Sequence, residues 1–369
     1  MKEGIYIHIP YCKRKCKYCD FLSFANFDNV EKYINYLIRE IEIFPPHEIS
    51  SIFIGGGTPS AIDGVYIEKI MATLKNFIKD EIEITIEANP NSLTEKKVLS
   101  YKRAGINRIS MGAQSSNDTI LKIIGRLHKR EDVFKAVKLI KKYGFTNFNL
   151  DFMLDLPGQT LEDIKNTLED IKILNPEHIS YYSLILEDGT PLKKEYLEGK
   201  IKIPSTKKDR QMYRYLVKNL EKIGYKQYET SNFAKNSPSS HNLSYWKLKD
   251  YIGYGLNAHS NLGLKRFYNT GNFEEYFSLI DQNKKPTLEV ENLTKKDRIN
   301  EYFIMGLRLT EGIDLLEASK KFEMDLFSYY KEAIENNIKY KTLIKKENKI
   351  FLTTYGKDVA NQVELDFMK

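Results

Sequence analysis

Residues 5–21 read IYIHIPYCKRKCKYCDF, from Ile5 to Phe21. The β-branched run Ile5 to Ile9 predicts a strand, and Pro10 stops it. Immediately beyond lie Cys12, Cys16 and Cys19, the only cysteines of the 369-residue chain. An odd, crowded set of this kind argues for metal rather than disulfides. Lys13, Arg14, Lys15 and Lys17 surround the thiols, and cationic neighbours favour the thiolate form. Three thiolates on one tight loop can hold three irons of a [4Fe-4S] cluster and leave the fourth iron open to a ligand. The alternatives are a zinc site completed by His8 or a more distant His, and three unligated cysteines.

Working outward, the period of the sequence keeps switching between strand and helix. Val30 to Ile43 is an amphipathic helix, Ser51 to Ile54 a strand, and Ile67 to Ile78 a helix. Then follow strand Ile82 to Glu87, helix Thr94 to Ala104 and strand Arg108 to Met111. The helical stripe Val133, Val137 and Ile140 precedes strand Asn149 to Met153, helix Leu161 to Leu174 and strand Ile179 to Leu184. Repeated βα units mean a parallel α/β sheet, and right-handed crossovers curl it into an open, three-quarter barrel. Chemistry is then expected beyond the strand C-terminal ends, where Cys12, Gly55 to Thr58, Glu87, Gln114 and Asp151 fall.

The alternation weakens past about residue 200. A helix from Lys207 to Ile223 leads into a polar segment rich in Asn, Ser and Tyr, and a helix from Lys295 to Leu309 follows. From Leu315 the pattern is two helices, a hairpin of Tyr340 to Ile344 with Lys349 to Thr353, and a last helix, like a small winged-helix module. The expected division is a barrel domain over 1–205, a linking segment over 206–290, and a mainly helical, winged-helix-like domain over 291–369. The net charge of +7 is spread in short Lys pairs, so nucleic acid is not implied. No apolar run approaches the ~18 residues of a membrane span and no signal peptide is seen, so the cytoplasm is expected, with peripheral membrane contact as an addition.

With CxxxCxxC on the loop after the first of six βα units, the chain resembles the radical S-adenosylmethionine (SAM) superfamily. The string from Ile5 to Phe21 is closest to the oxygen-independent coproporphyrinogen III oxidases and their paralogues, the heme chaperones. The resemblance implies a [4Fe-4S] cluster on Cys12, Cys16 and Cys19 with SAM beside it. Gly55-Gly56-Gly57-Thr58-Pro59 would bind the methionine end of SAM, though as bare sequence it is equally a tight turn. Glu87, Gln114, Arg126 and Asp151 match positions that contact SAM, and Tyr6 and Tyr18 match aromatics that cover it. One departure stands out: where the family reads DLMYGLPGQT, Asp155 replaces a glycine, which implies a change in the local turn.

Three features separate the paralogues. The oxidases carry a further Cys where this chain has Phe21, and an extension before the first strand where only Met1 to Gly4 precede it here. The segment His241-Asn-Leu-Ser-Tyr245-Trp246 matches the HNxxYW motif of the heme chaperones. His241 can ligate heme iron, and Tyr245 and Trp246 can pack on the macrocycle, although a His followed by aromatics is commonly structural. Lys247 and Lys249 would face heme propionates or simply solvent, and His259 is a second axial candidate. The resemblance thus implies a heme chaperone without oxidase turnover, with heme as cargo, respiratory heme proteins at the membrane as acceptors, and a homodimer that depends on the cluster. The alternatives are the oxidase itself and a zinc-stabilised interaction module.

Overall fold

The computed structural model of the protein describes residues 2–369. Parallel strands lie side by side in chain order: β1 (Lys2–Ile9), β2 (Glu48–Gly56), β3 (Glu83–Ala88), β4 (Arg108–Gln114), β5 (Phe148–Leu154) and β6 (His178–Ser183). Helices Val30–Ile43, Gly64–Leu74, Glu95–Arg103, Arg130–Lys142 and Leu161–Leu174 fill the connections. This is the expected α/β three-quarter barrel. All six strands line one cavity, yet the sheet does not close on itself.

The strands alternate in character, and the alternation fixes which face becomes the site. Ile5, Ile7, Ile52, Ile54, Ile84, Ile86, Ile109, Met111, Phe148, Leu150 and Ile179 point outward into a buried core against the helices. The intervening residues, among them Tyr6, Glu87, Arg108, Ser110, Asn149, Asp151, His178 and Ser180, face the interior. Successive strand side chains point to opposite faces, so an apolar outer row forces the polar row inward. A barrel packed through its centre would carry branched aliphatics there. This one encloses an open space walled by polar side chains set among aromatic ones.

The polar segment after the Thr206–Lys222 helix supplies further strands to the sheet. β7 (Lys226–Gln227) and β8 (Asn232–Ala234) add antiparallel strands beyond β6. β9 (Tyr251–Tyr254) pairs in parallel with β1, and β10 (His259–Leu262), β11 (Lys265–Asn269) and β12 (Thr287–Asn292) continue antiparallel from it, giving a 12-stranded sheet. Runs this short and polar carry too little periodicity to be read as strands. A second core spans Ile299 to Phe367, built on helix Lys295–Leu307 and a three-stranded sheet of β13 (Ile313–Asp314), β14 (Leu343–Lys346) and β15 (Lys349–Leu352). No helix among the described residues is long and apolar enough to cross a membrane.

Candidate cluster, SAM and heme site

The cysteine loop leaves β1 and is tied on both sides. Cys12 N–H donates to Phe24 O at 3.0 Å, Lys17 N–H to Ile124 O at 3.0 Å, and Cys19 N–H to Cys16 O at 3.2 Å. The glycine-rich loop after β2 is bolted to it through backbone. Gly57 N–H donates to Ile9 O at 2.9 Å, Thr58 N–H donates to Tyr11 O at 2.8 Å, and Thr58 Oγ1 lies 3.2 Å from Cys12 Sγ. A side chain at Gly57 would put its Cβ 2.8 Å from Tyr11 O, and one at Gly56, where φ is +113°, would strike the His8 ring at 2.8 Å. Both glycines are therefore required by close approach.

The cationic neighbours do not act as the sequence suggested. Lys17 pairs with Glu195 at 2.6 Å, and Arg14 donates to Gly125 O at 2.8 Å. Arg126 reaches a thiol, its Nη1 donating to Cys16 Sγ at 3.5 Å. Burial wins over charge, pushing the Cys12 thiol up and the Cys19 thiol to about 11. Loss of the proton thus belongs to metal binding itself. His8 does not complete a zinc site: its Nδ1 meets Tyr6 Oη at 3.1 Å and its Nε2 meets Leu22 O at 3.2 Å. Among the described residues no group of His, Cys, Asp or Glu converges on a single ion. Three thiols serving separate irons of one cluster have no such need, so the donor set fits the cluster.

All three cysteines line one end of a cavity of about 580 Å³, together with Gly56, Gly57, Thr58, Tyr6, Tyr18, Glu87, Gln114, Arg126 and Asp151. The structure thus brings together the residues expected beside SAM, with Gly55 and Pro59 at the ends of the glycine-rich run outside the lining. Glu87, behind Gly56 N–H at 3.3 Å, is pushed up to about 8 by burial and by the nearby Asp151. A cationic ligand group would reverse that shift. Asp151 is raised by burial while accepting from Asn149 Nδ2 at 2.7 Å and Ser110 Oγ at 3.3 Å. It lies in the middle of β5, not at its end. Gln114 closes β4 at a register shift, with φ +64°. Arg126 also donates to Asn89 Oδ1 and to Gly112 O, the latter at 2.7 Å.

The HNLSYW segment forms helix Ser240–Trp246 at the opposite, N-terminal end of the barrel strands. Glu83, the first residue of β3, caps it by accepting from Ser239 Oγ at 2.8 Å and from the N–H groups of Ser240 and His241 at 3.1 Å each. His241 is buried, stacked on Phe53 at 5.3 Å, and both ring nitrogens are taken, Nδ1 with Ser51 Oγ and Nε2 with Tyr245 Oη, each at 2.8 Å. Burial, then the charge of Arg108, lowers its pKa to about 3, so the ring is neutral. His241, Asn242 and Tyr245 line the cavity. Trp246 does not: it lies under the Arg308 guanidinium at 4.7 Å, facing the C-terminal core. Lys247 pairs with Glu311 at 2.9 Å, and His259 stacks on Tyr268 at 5.1 Å, outside the cavity lining. At Asp155 φ is +62°, a backbone glycine enters freely, so the turn a glycine would make is kept.

Arg108, Ser110, Asn149, His178, Ser180 and Tyr228 also line the cavity and were not singled out from sequence. The signal was available for the strand residues. Buried parallel strands usually read as continuous apolar runs, whereas RISMGAQ, FNLDFML and HISYYS set polar residues among apolar ones at alternate positions.

Comparison with known proteins agrees with this geometry. The radical SAM superfamily model matches residues 6–171 and the HemN C-terminal domain model residues 293–358. Heme chaperone HemW of Bacillus subtilis (strain 168) is 35% identical, with 98% of each chain covered. The Lactococcus lactis protein of that name is 35% identical over 99% of this chain and 97% of its own. In structure the chain is similar to coproporphyrinogen III oxidase (HemN) from Escherichia coli, a radical SAM enzyme, with TM-score 0.85 and 22% identity over 100% of this chain and 90% of that one, a likeness that shows the fold. With cysteine loop, glycine-rich turn and full-length likeness in agreement, this chain belongs to the HemW heme chaperone family of the radical SAM superfamily.

Proposed function

We propose that the protein binds heme and hands it to acceptor heme proteins, carrying a [4Fe-4S] cluster on Cys12, Cys16 and Cys19 with SAM beside it. When bound, the cluster offers an open iron and an electron donor to SAM. The chain's own residues bind and orient: Gly56, Gly57 and Thr58 present backbone to the methionine end, Glu87 and Asp151 offer carboxyls, Gln114 and Arg126 polar groups, and Tyr6 and Tyr18 aromatic walls. Heme would take the other end of the cavity, beside His241 and Tyr245. The acceptors in this reading are respiratory heme proteins at the membrane, and the cluster supports a homodimer.

The observation that carries this reading is the continuity of the cavity from the cysteines to His241, Asn242 and Tyr245. One space joins the cluster loop to the HNxxYW helix. The test is an anaerobic hemin titration of cluster-reconstituted protein, followed by Soret absorbance, for wild type and His241→Ala. Saturable one-to-one binding, weakened in the variant, is expected. Protein with a full cluster that takes up no stoichiometric hemin would overturn the reading and make anaerobic porphyrinogen decarboxylation the next assay.

A further inference from the structure

Arg108 opens β4 with its side chain in the barrel interior, only 2% exposed. Among the described residues its guanidinium makes one hydrogen bond, a long one from Nη1 to Thr85 Oγ1 at 3.5 Å, and its Nε has no partner. It forms no ion pair: the nearby carboxylate, Asp151, is already engaged by Asn149 and Ser110. A buried charge left without counter-ion or hydrogen bonds is strongly destabilising. Such a group is retained where an anion completes it.

The surroundings suit an arriving carboxylate. His178, on the same cavity wall, is held neutral, first by burial and then by the Arg108 charge, with Nδ1 on Asn149 Oδ1 at 2.7 Å and Nε2 on Tyr228 Oη at 2.9 Å. Ser180 and Asn232 add hydroxyl and amide groups to the same space. Arg108 is thus the one guanidinium at this end of the cavity, whereas Arg14 and Arg126 stand at the cysteine end. A planar guanidinium with a free Nε matches a carboxylate through paired hydrogen bonds, which an ammonium group cannot do as well.

We propose that Arg108 receives a carboxylate of the cargo, a propionate of the heme held in the inner half of the cavity. This deepens the heme reading and rests on it. Two sources of carboxylate exist, heme and the amino-acid end of SAM, and the test separates them.

The experiment compares hemin with hemin dimethyl ester, whose propionates are blocked, on cluster-reconstituted wild type and Arg108→Gln, with SAM binding measured alongside. Wild type is expected to bind hemin at least tenfold more tightly than the ester. Arg108→Gln should bind the two alike, with hemin weakened about tenfold and SAM unchanged. Equal affinity of wild type for hemin and ester overturns the proposal without recourse to any variant. So does an Arg108→Gln protein that keeps the preference for hemin, or one that loses SAM and keeps hemin, which would assign the carboxylate to SAM. If wild type binds neither hemin nor its ester, the heme reading itself fails and takes this proposal with it.

Discussion

Asp155 shows how one residue can depart from a family pattern and keep its backbone. Its left-handed φ of +62° costs an L-residue roughly 1–2 kcal/mol. Its half-buried carboxyl is pushed up to about 7, by burial first and then by Asp209, and Oδ1 has no partner. A carboxyl raised on folding holds its proton more tightly in the folded state, so its contribution to stability falls as pH rises between about 4 and 7. Asp155→Gly is therefore expected to stabilise the protein by about 1 kcal/mol at pH 5 and by more at pH 8, measured by urea unfolding at both. An equal effect at the two values would show that the carboxyl is not strained by its surroundings. At this scale Cys12, Cys16, Cys19, Gly56 and Gly57 were legible because their chemistry tolerates few substitutes. The engagement of both His241 nitrogens was not, since Ser51, one of the partners, lies 190 residues away in the chain. Arg108 was not either, because burial without a counter-ion is a property of the fold alone.

Among the elements, helices Val30–Ile43 and Leu161–Leu174 and the six barrel strands were readable because long periods fix their faces. The strands β7 to β12 were not, being short, and β8 and β9 join the sheet by pairing with the distant β6 and β1. Helix Ser240–Trp246 is the element with most at stake. It forms the floor of the barrel, and a carboxylate from β3 satisfies its first two N–H groups while the Ser239 hydroxyl accepts from Asn242 N–H. Glu83→Ala removes three acceptor contacts at once and is expected to cost about 1–2 kcal/mol. Amide exchange should quicken over residues 239–246 while the cluster loop stays protected. Unchanged exchange there would mean that the floor is held by His241 and Ser51 instead.

For the whole molecule, the barrel sheet and the Ile299–Phe367 core are joined by a backbone bridge between Glu229 and Leu309, a Thr310 N–H to Tyr228 O bond at 2.9 Å and a set of polar side-chain contacts. Asp358 takes Arg214 and, at 3.5 Å, Arg210; Lys357 Nζ donates to Gln227 Oε1 at 3.0 Å; Trp246 lies under Arg308. The arginines are partly exposed, so the pairing is worth about 1 kcal/mol. Asp358→Asn is expected to lower stability by that amount and to widen or split the unfolding transition, checked by denaturation with far-UV and tryptophan signals together. Coincident transitions at the wild-type midpoint would show the junction to be held elsewhere. The floor has a further consequence in the order of folding. Six neighbouring βα units close short loops, whereas docking His241 beneath β1 and β2 closes a loop of 190 residues, and loop-closure entropy delays such contacts. The open barrel wall is therefore expected to form before its floor docks, so a ligand present during synthesis would meet an interior still open at both ends.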